Sequence, residues 1–185
     1  MSETLIAPDG SEWPDFAALP ATIAAWETAT GRMLPAAYRA FLTTYNGGRI
    51  YPLVFDVRQP PEAWGMSSDY ATFIDVLYDW DYATTLWDQK TYGNSTPPDM
   101  FFIGCNPGGL EILLSVRPAT HGQIFTWWAC NPRWGDEGNT DANLHLQAQN
   151  FVEFIAQMYE TPDGIGMDYW DSPDHKRLAK PLKVG

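Results

Sequence analysis

Residues 34–48 read LPAAYRAFLTTYNGG and hold the start, the buried face and the end of one helix within fifteen positions. Pro35 suits a first turn, where a fixed φ is helix-compatible and the missing N–H would have had no intrahelical partner. Tyr38, Phe41, Leu42 and Tyr45 recur at three, four and seven, the spacing that lines one face of a 3.6-residue helix. Such a face requires burial. At roughly 1.5–3 kcal/mol per large apolar side chain, these four contribute several kcal/mol, a sizeable share of a typical net stability of about 5–15 kcal/mol. Asn46-Gly47-Gly48 then ends the helix, because Asn and Gly accept the left-handed backbone that turns the chain and satisfies the last carbonyls.

Outward from this helix, residues 22–30 place Ile23 and Trp26 at helical spacing before Gly31, with Thr22 in position to cap. Residues 1–20 hold Trp13, Phe16 and Leu19 in a polar frame and read as an arm packed on the body. Residues 50–57, IYPLVFDV, are rich in strand formers, with Pro52 marking an edge or bulge because proline cannot donate to a ladder. In residues 72–78 two patterns compete. Ile74, Val76 and Tyr78 alternate as in a strand, while Phe73, Ile74 and Leu77 also fit a helical face. A strand is favoured there, followed by a helix over 80–90 capped by Asp79.

The second half reads as a meander. MFFIGC (100–105), LEILLSV (110–116) and QIFTWWA (123–129) are strands separated by the turns Asn106-Pro107-Gly108-Gly109 and His121-Gly122, and short connections between successive strands make them antiparallel. Phe151, Phe154, Ile155, Met158 and Tyr159 then form the stripe of a helix over 148–159.

Leu34-Pro35 at the entry, Tyr38 and Phe41-Leu42 inside, and Asn46-Gly47-Gly48 at the exit resemble the signature of the SUKH superfamily. That superfamily contains the yeast regulator of cell-wall glucan synthesis and a large set of bacterial immunity proteins. Residues 23–31 resemble its first helix, with Glu27 where such a helix carries an acid, and the resemblance covers residues 19–159. The pattern of elements makes the expected fold α+β, with two N-terminal helices and one C-terminal helix packed on an antiparallel sheet, and the resemblance implies the same arrangement. It makes residues 1–160 one SUKH-like domain and 161–185 an acidic, then basic, tail, docked or mobile.

The length of 185 residues suits one domain, and 45% hydrophobic with 15% aromatic content excludes a disordered chain. The first residues lack the features of a signal peptide and no apolar run reaches the roughly 18–20 residues needed to cross a bilayer, so a cytoplasmic location is expected. Cys105 and Cys130 are expected to be reduced rather than paired. The net charge is −12, and it is uneven: residues 1–174 carry 23 acids against 7 bases, because Lys176, Arg177, Lys180 and Lys183 lie in the last eleven positions. Such a body repels nucleic acid and acidic membranes and attracts basic surfaces, although most of the acids serve as a solvating shell.

Catalytic constellations are missing. His121, His145 and His175 are isolated, the two cysteines lack finger spacing, and the acids of 163–174 depart from a calcium loop. GCNPGG at 104–109 lacks the Lys-Ser/Thr of a phosphate loop and lies between strands. The chain is therefore expected to be non-enzymatic, without cofactor or metal, and to work by recognition. Trp80, Trp87, Trp127, Trp128, Trp134 and Trp170 exceed the aromatic mass a core of this size needs, and residues 56–99 hold eight acids against Arg58 and Lys90. Large aromatics beside charges are common interface anchors. The SUKH resemblance implies a cognate toxin as partner, such as a nuclease, and the acidic composition is consistent with that toxin having a basic surface. The expected contacts are Asp75, Asp79, Asp81, Trp87, Asp88, Trp134, Asp136 and Glu137. The alternatives are a regulatory scaffold tied to cell-wall synthesis and an enzyme of unrecognised type.

Overall fold

The computed structural model describes residues 3–58, 70–89, 96–128, 141–164, 170 and 172–184. Its first two helices are α1 (Leu19–Thr30) and α2 (Ala36–Tyr45). In α2 the four residues of the apolar stripe, Tyr38, Phe41, Leu42 and Tyr45, are all buried. Pro35 stands at the cap position, just outside the first turn, and its carbonyl accepts the opening helical bond from Arg39 at 2.9 Å. α1 begins one turn earlier than Thr22. Pro20 occupies its first turn, and the Thr22 hydroxyl donates back to Ala18 O at 3.2 Å and so does not cap. Glu27 on α1 is buried, pairs with Arg39 of α2 and accepts the Leu34 N–H at 2.9 Å. One carboxylate thus fixes the entry of α2 against α1.

The exit of α2 is where the chain converges. Asn46, Gly47 and Gly48 all have positive φ, at 50°, 84° and 133°. A Cβ on Gly47 would lie 2.6 Å from Asp79 N and 2.8 Å from Leu77 O, and one on Gly48 would run into the carbonyl oxygen of Ala7. Only glycine combines that backbone with that closeness. Gly48 and Leu77 exchange two backbone hydrogen bonds at 2.8 and 2.9 Å, and the Asn46 side-chain oxygen accepts Trp80 N–H at 2.9 Å.

The strands form three antiparallel sheets, where one was expected. The first pairs β1 (Leu5–Ala7) with β2 (Arg49–Tyr51). The second pairs β3 (Val54–Val57) with β4 (Tyr70–Phe73). Residues 50–57 are therefore two strands, divided at Pro52, which has no N–H to continue a ladder. The stretch 72–78 is extended, with a change of partner in its middle: Ile74 N–H bonds Leu53 O, whereas Asp75 N–H bonds Cys105 O. After it come β5 (Val76–Leu77) and α3 (Trp80–Gln89), which Asp79 caps by accepting Tyr82 N–H at 2.7 Å. The third sheet is the meander. It runs β5, β6 (Met100–Cys105), β7 (Leu110–Ser115), β8 (Ile124–Trp128) and β9 (Leu144–Ala148) in order. Asn106 closes the β6–β7 hairpin, its side-chain oxygen accepting Gly108 and Leu110 N–H at 2.8 Å each.

All six residues of β7 are buried, so the centre of the meander is covered on both faces. Phe101 meets Trp26, Tyr38, Trp80 and Trp87 on one face, and Phe102 meets Trp127 on the other. That double layer uses the tryptophans that the sequence reading held to be surplus. Trp80, Trp127, Trp128 and Trp170 are core residues, and Trp134 lies outside the described residues.

The last stripe forms a shorter helix than expected, α4 (Phe151–Ala156). Ala148 belongs to β9, and Asn150 caps α4 by accepting Glu153 N–H at 2.9 Å. Tyr38 and Phe41 of α2 pack on Phe151 with ring centroids 5.2 and 5.1 Å apart. Residues 172–184 dock. After α5 (Pro173–Leu178), β10 (Lys180–Pro181) pairs with β1, and the Tyr45 hydroxyl donates to Pro181 O and accepts Lys183 N–H. Trp13 completes this contact by donating to Leu178 O at 3.0 Å.

Candidate partner-binding surface

Pairing of β1 with β2 brings the loop after β1 beside the exit of α2 and the start of α3. Between them lies a pocket of about 510 Å³, lined by Asp9, Glu12, Tyr45, the Asn46–Gly48 turn, Asp75, Tyr78, Asp79, Tyr82 and Cys105. Its floor is polar but uncharged. The Tyr78 hydroxyl donates to the buried Glu111 carboxylate at 3.0 Å. Burial first, and then the charge of Glu111, holds the Tyr78 and Tyr82 hydroxyls above their ordinary pKa. Burial likewise pushes the Cys105 thiol up to about 11. All three groups are protonated at neutral pH. The rim carries the charge. Arg49 bridges Asp9 at 2.7 Å and Asp75 at 2.5 Å, while Asp79 and Glu12 are exposed and form no ion pair among the described residues.

The expected contact residues separate into four groups. Asp75 and Asp79 line the pocket, the first held by Arg49 and the second capping α3. Asp81 and Asp88 are exposed on α3, seven residues apart and so on one helical face, which also presents the half-exposed ring of Tyr82. Trp87 packs inward, with its ring 5.2 Å from Trp26 and 6.0 Å from Phe101, and belongs to the core layer more than to a free surface. Trp134, Asp136 and Glu137 lie outside the described residues. The expected contacts did not include Asp9, Glu12 or Tyr82. The acids of PDGSE at 8–12 were visible, but their place beside α3 depends on a three-residue strand too short to announce itself.

The remaining reactive side chains are scattered. His121 shares a hydrogen bond with Met33 O, and His145 lies on β9 with its pKa lowered by burial. Cys105 is a free thiol, and Cys130 lies outside the described residues. Among the described residues no three His, Cys, Asp or Glu side chains come together as metal ligands, and no helix is long and apolar enough to cross a membrane.

The helix pair with its buried acid, the glycine turn locked between strands and the antiparallel meander all fall within residues 17–157, which match the SMI1 / KNR4 family (SUKH-1). The chain belongs to that family. No match is found among curated proteins. The family match spans α1, α2, the Asn46–Gly48 turn and α3, and within it α2 turns its four large apolar side chains inward. Its outer surface carries no aromatic anchor. Exposed acids are spread over the surface, and those on α3 and around the pocket at its N-terminus, Glu12, Asp79, Asp81 and Asp88, stand beside the exposed ring of Tyr82.

Proposed function

We propose that this chain is an immunity protein: a non-enzymatic, cytoplasmic SUKH-1 domain that neutralises a toxin by binding its basic surface. The observation that carries the reading is the outer face of α3, where Asp79, Asp81 and Asp88 are exposed beside Tyr82 on a body of strong negative charge. An acidic face of this kind steers a basic partner into contact and sets its orientation. Nucleic acid and acidic membranes are repelled by the same charge. A toxin domain that acts on nucleic acid needs a basic cleft, and the acidic face is its electrostatic complement.

The test is co-expression with the polypeptide encoded directly beside this gene. That polypeptide is expected to be toxic alone and harmless with the wild-type chain, and the two are expected to co-purify in a complex that weakens as salt rises. Absence of toxicity, or toxicity undiminished by this chain, overturns the assignment.

A further inference from the structure

We propose that the pocket between the loop after β1, the Asn46–Gly48 turn and the start of α3 seats one cationic side chain, an arginine or a lysine, presented by the partner polypeptide. The inference rests on the partner-binding reading above and gives it a specific seat. Three observations converge on a cation. The pocket, at about 510 Å³, has the size of a small-ligand site, so it takes a whole side chain instead of a surface touch. One wall is the Tyr82 ring, 51% exposed and 4.7 Å centroid to centroid from Tyr78, which offers an aromatic face to a positive charge. Asp79 and Glu12 stand on the rim without an ion-pair partner among the described residues, while Asp9 and Asp75 share the single cation Arg49.

Among the described residues the cations beside this place are committed. Arg49 is held by Asp9 and Asp75, and Lys180 lies 4.3 Å from the ring centroid of Trp13. A metal ion lacks three converging ligands among the described residues. An anion meets carboxylates of its own sign, and an apolar group would strip water from Asp79 and Glu12 with nothing returned. Behind the rim lie Tyr78 and Cys105, and beneath them the buried Glu111 carboxylate accepts the Tyr78 hydroxyl at 3.0 Å, so a guanidinium or ammonium group meets negative charge at the mouth and further negative charge below the floor.

The experiment is a titration of the full chain with N-acetyl-arginine amide, followed by backbone amide NMR, with N-acetyl-citrulline amide as the uncharged control. Saturable shifts at Gly47, Asp79 and Tyr82 are expected, with a Kd on the order of millimolar, and citrulline is expected to bind at least about tenfold more weakly. Glu12→Gln and Tyr82→Ala are each expected to weaken arginine binding about threefold to fivefold, the scale of an exposed charge or cation–π contact. Glu12 is exposed and forms no side-chain hydrogen bond or ion pair among the described residues, so Glu12→Gln decides the matter even if Tyr82→Ala unfolds. No shift at those amides, or equal binding of citrulline, overturns the pocket. If wild type protects against the toxin and the pocket binds no arginine, the pocket fails and the immunity reading stands. If the pocket binds arginine and no protection is seen, the reverse holds.

Discussion

Helices α2 and α3 are each ten residues long, yet they divide their surfaces differently. α2 buries Tyr38, Phe41, Leu42 and Tyr45 and shows solvent Ala36, Ala40 and Thr44, while its one charged side chain, Arg39, is partly exposed and pairs with the buried Glu27. α3 buries Trp80, Ala83 and Leu86 and shows Asp81, Tyr82, Thr85 and Asp88. Binding energy needs anchors and charges at the surface, and α2 has no exposed aromatic anchor and only one charge, which Glu27 holds. The α2 helix therefore holds the fold, and the next helix carries the exposed acids and ring on which the proposed recognition rests.

The largest effect that could break this contrast is on α2. Phe41→Ala removes a ring packed between Tyr38, Tyr45 and Phe151 and is expected to cost about 3–5 kcal/mol in denaturant unfolding. A loss nearer 0.5 kcal/mol would mean that the face is not core. Gly48→Ala is next, at about 3 kcal/mol, since it forces a side chain onto a φ of 133° and into the backbone of β1. Recovery of full stability in that variant would show that the turn is loose, not locked.

On α3 the expected costs fall. Asp79→Ala removes a cap and is expected to lose about 1 kcal/mol, whereas Asp79→Asn keeps an acceptor for Tyr82 N–H and loses little. Equal losses in the two variants would assign Asp79 a role through its charge instead. Asp81→Asn with Asp88→Asn is expected to change stability by no more than about 0.5 kcal/mol, because both side chains are exposed. The smallest effect concerns pH. Burial lowers the pKa of His145 in the fold from its ordinary 6.5, so the unfolded chain binds the proton more readily. The contribution is complete above 6.5 and is lost as pH falls through the lowered folded value. His145→Gln is expected to reduce the fall in melting temperature between about pH 7 and pH 5, and an unchanged slope would exclude His145 as a source of it.

Local chemistry explains what was legible in the sequence. Helix α2, the Asp79 cap and the strands at 100–105 and 110–116 each carry their signal within about fifteen residues, so periodicity and turn residues were enough. The family signature was legible for the same reason. Long-range pairing was not. Three-residue β1 is a strand because it pairs with β2 and β10, two-residue β10 because it pairs with β1, and the pocket beside α3 inherits that dependence. Trp127 and Trp128 misled because β8 buries adjacent residues on both faces, which leaves no alternation to show which side points inward. Likewise, the change of partner at Ile74-Asp75 leaves no mark in a run of strand formers.

The claim that recognition lies on α3, separate from the packing of α2, is tested most directly by association kinetics. The measurement is the on-rate for the toxin partner, at low and at high salt, of a variant carrying Asp79→Asn, Asp81→Asn and Asp88→Asn. The variant is expected to melt close to wild type, to associate at least about tenfold more slowly at low salt, and to lose most of its salt dependence. A folded variant that associates as fast as wild type at low salt would contradict the account.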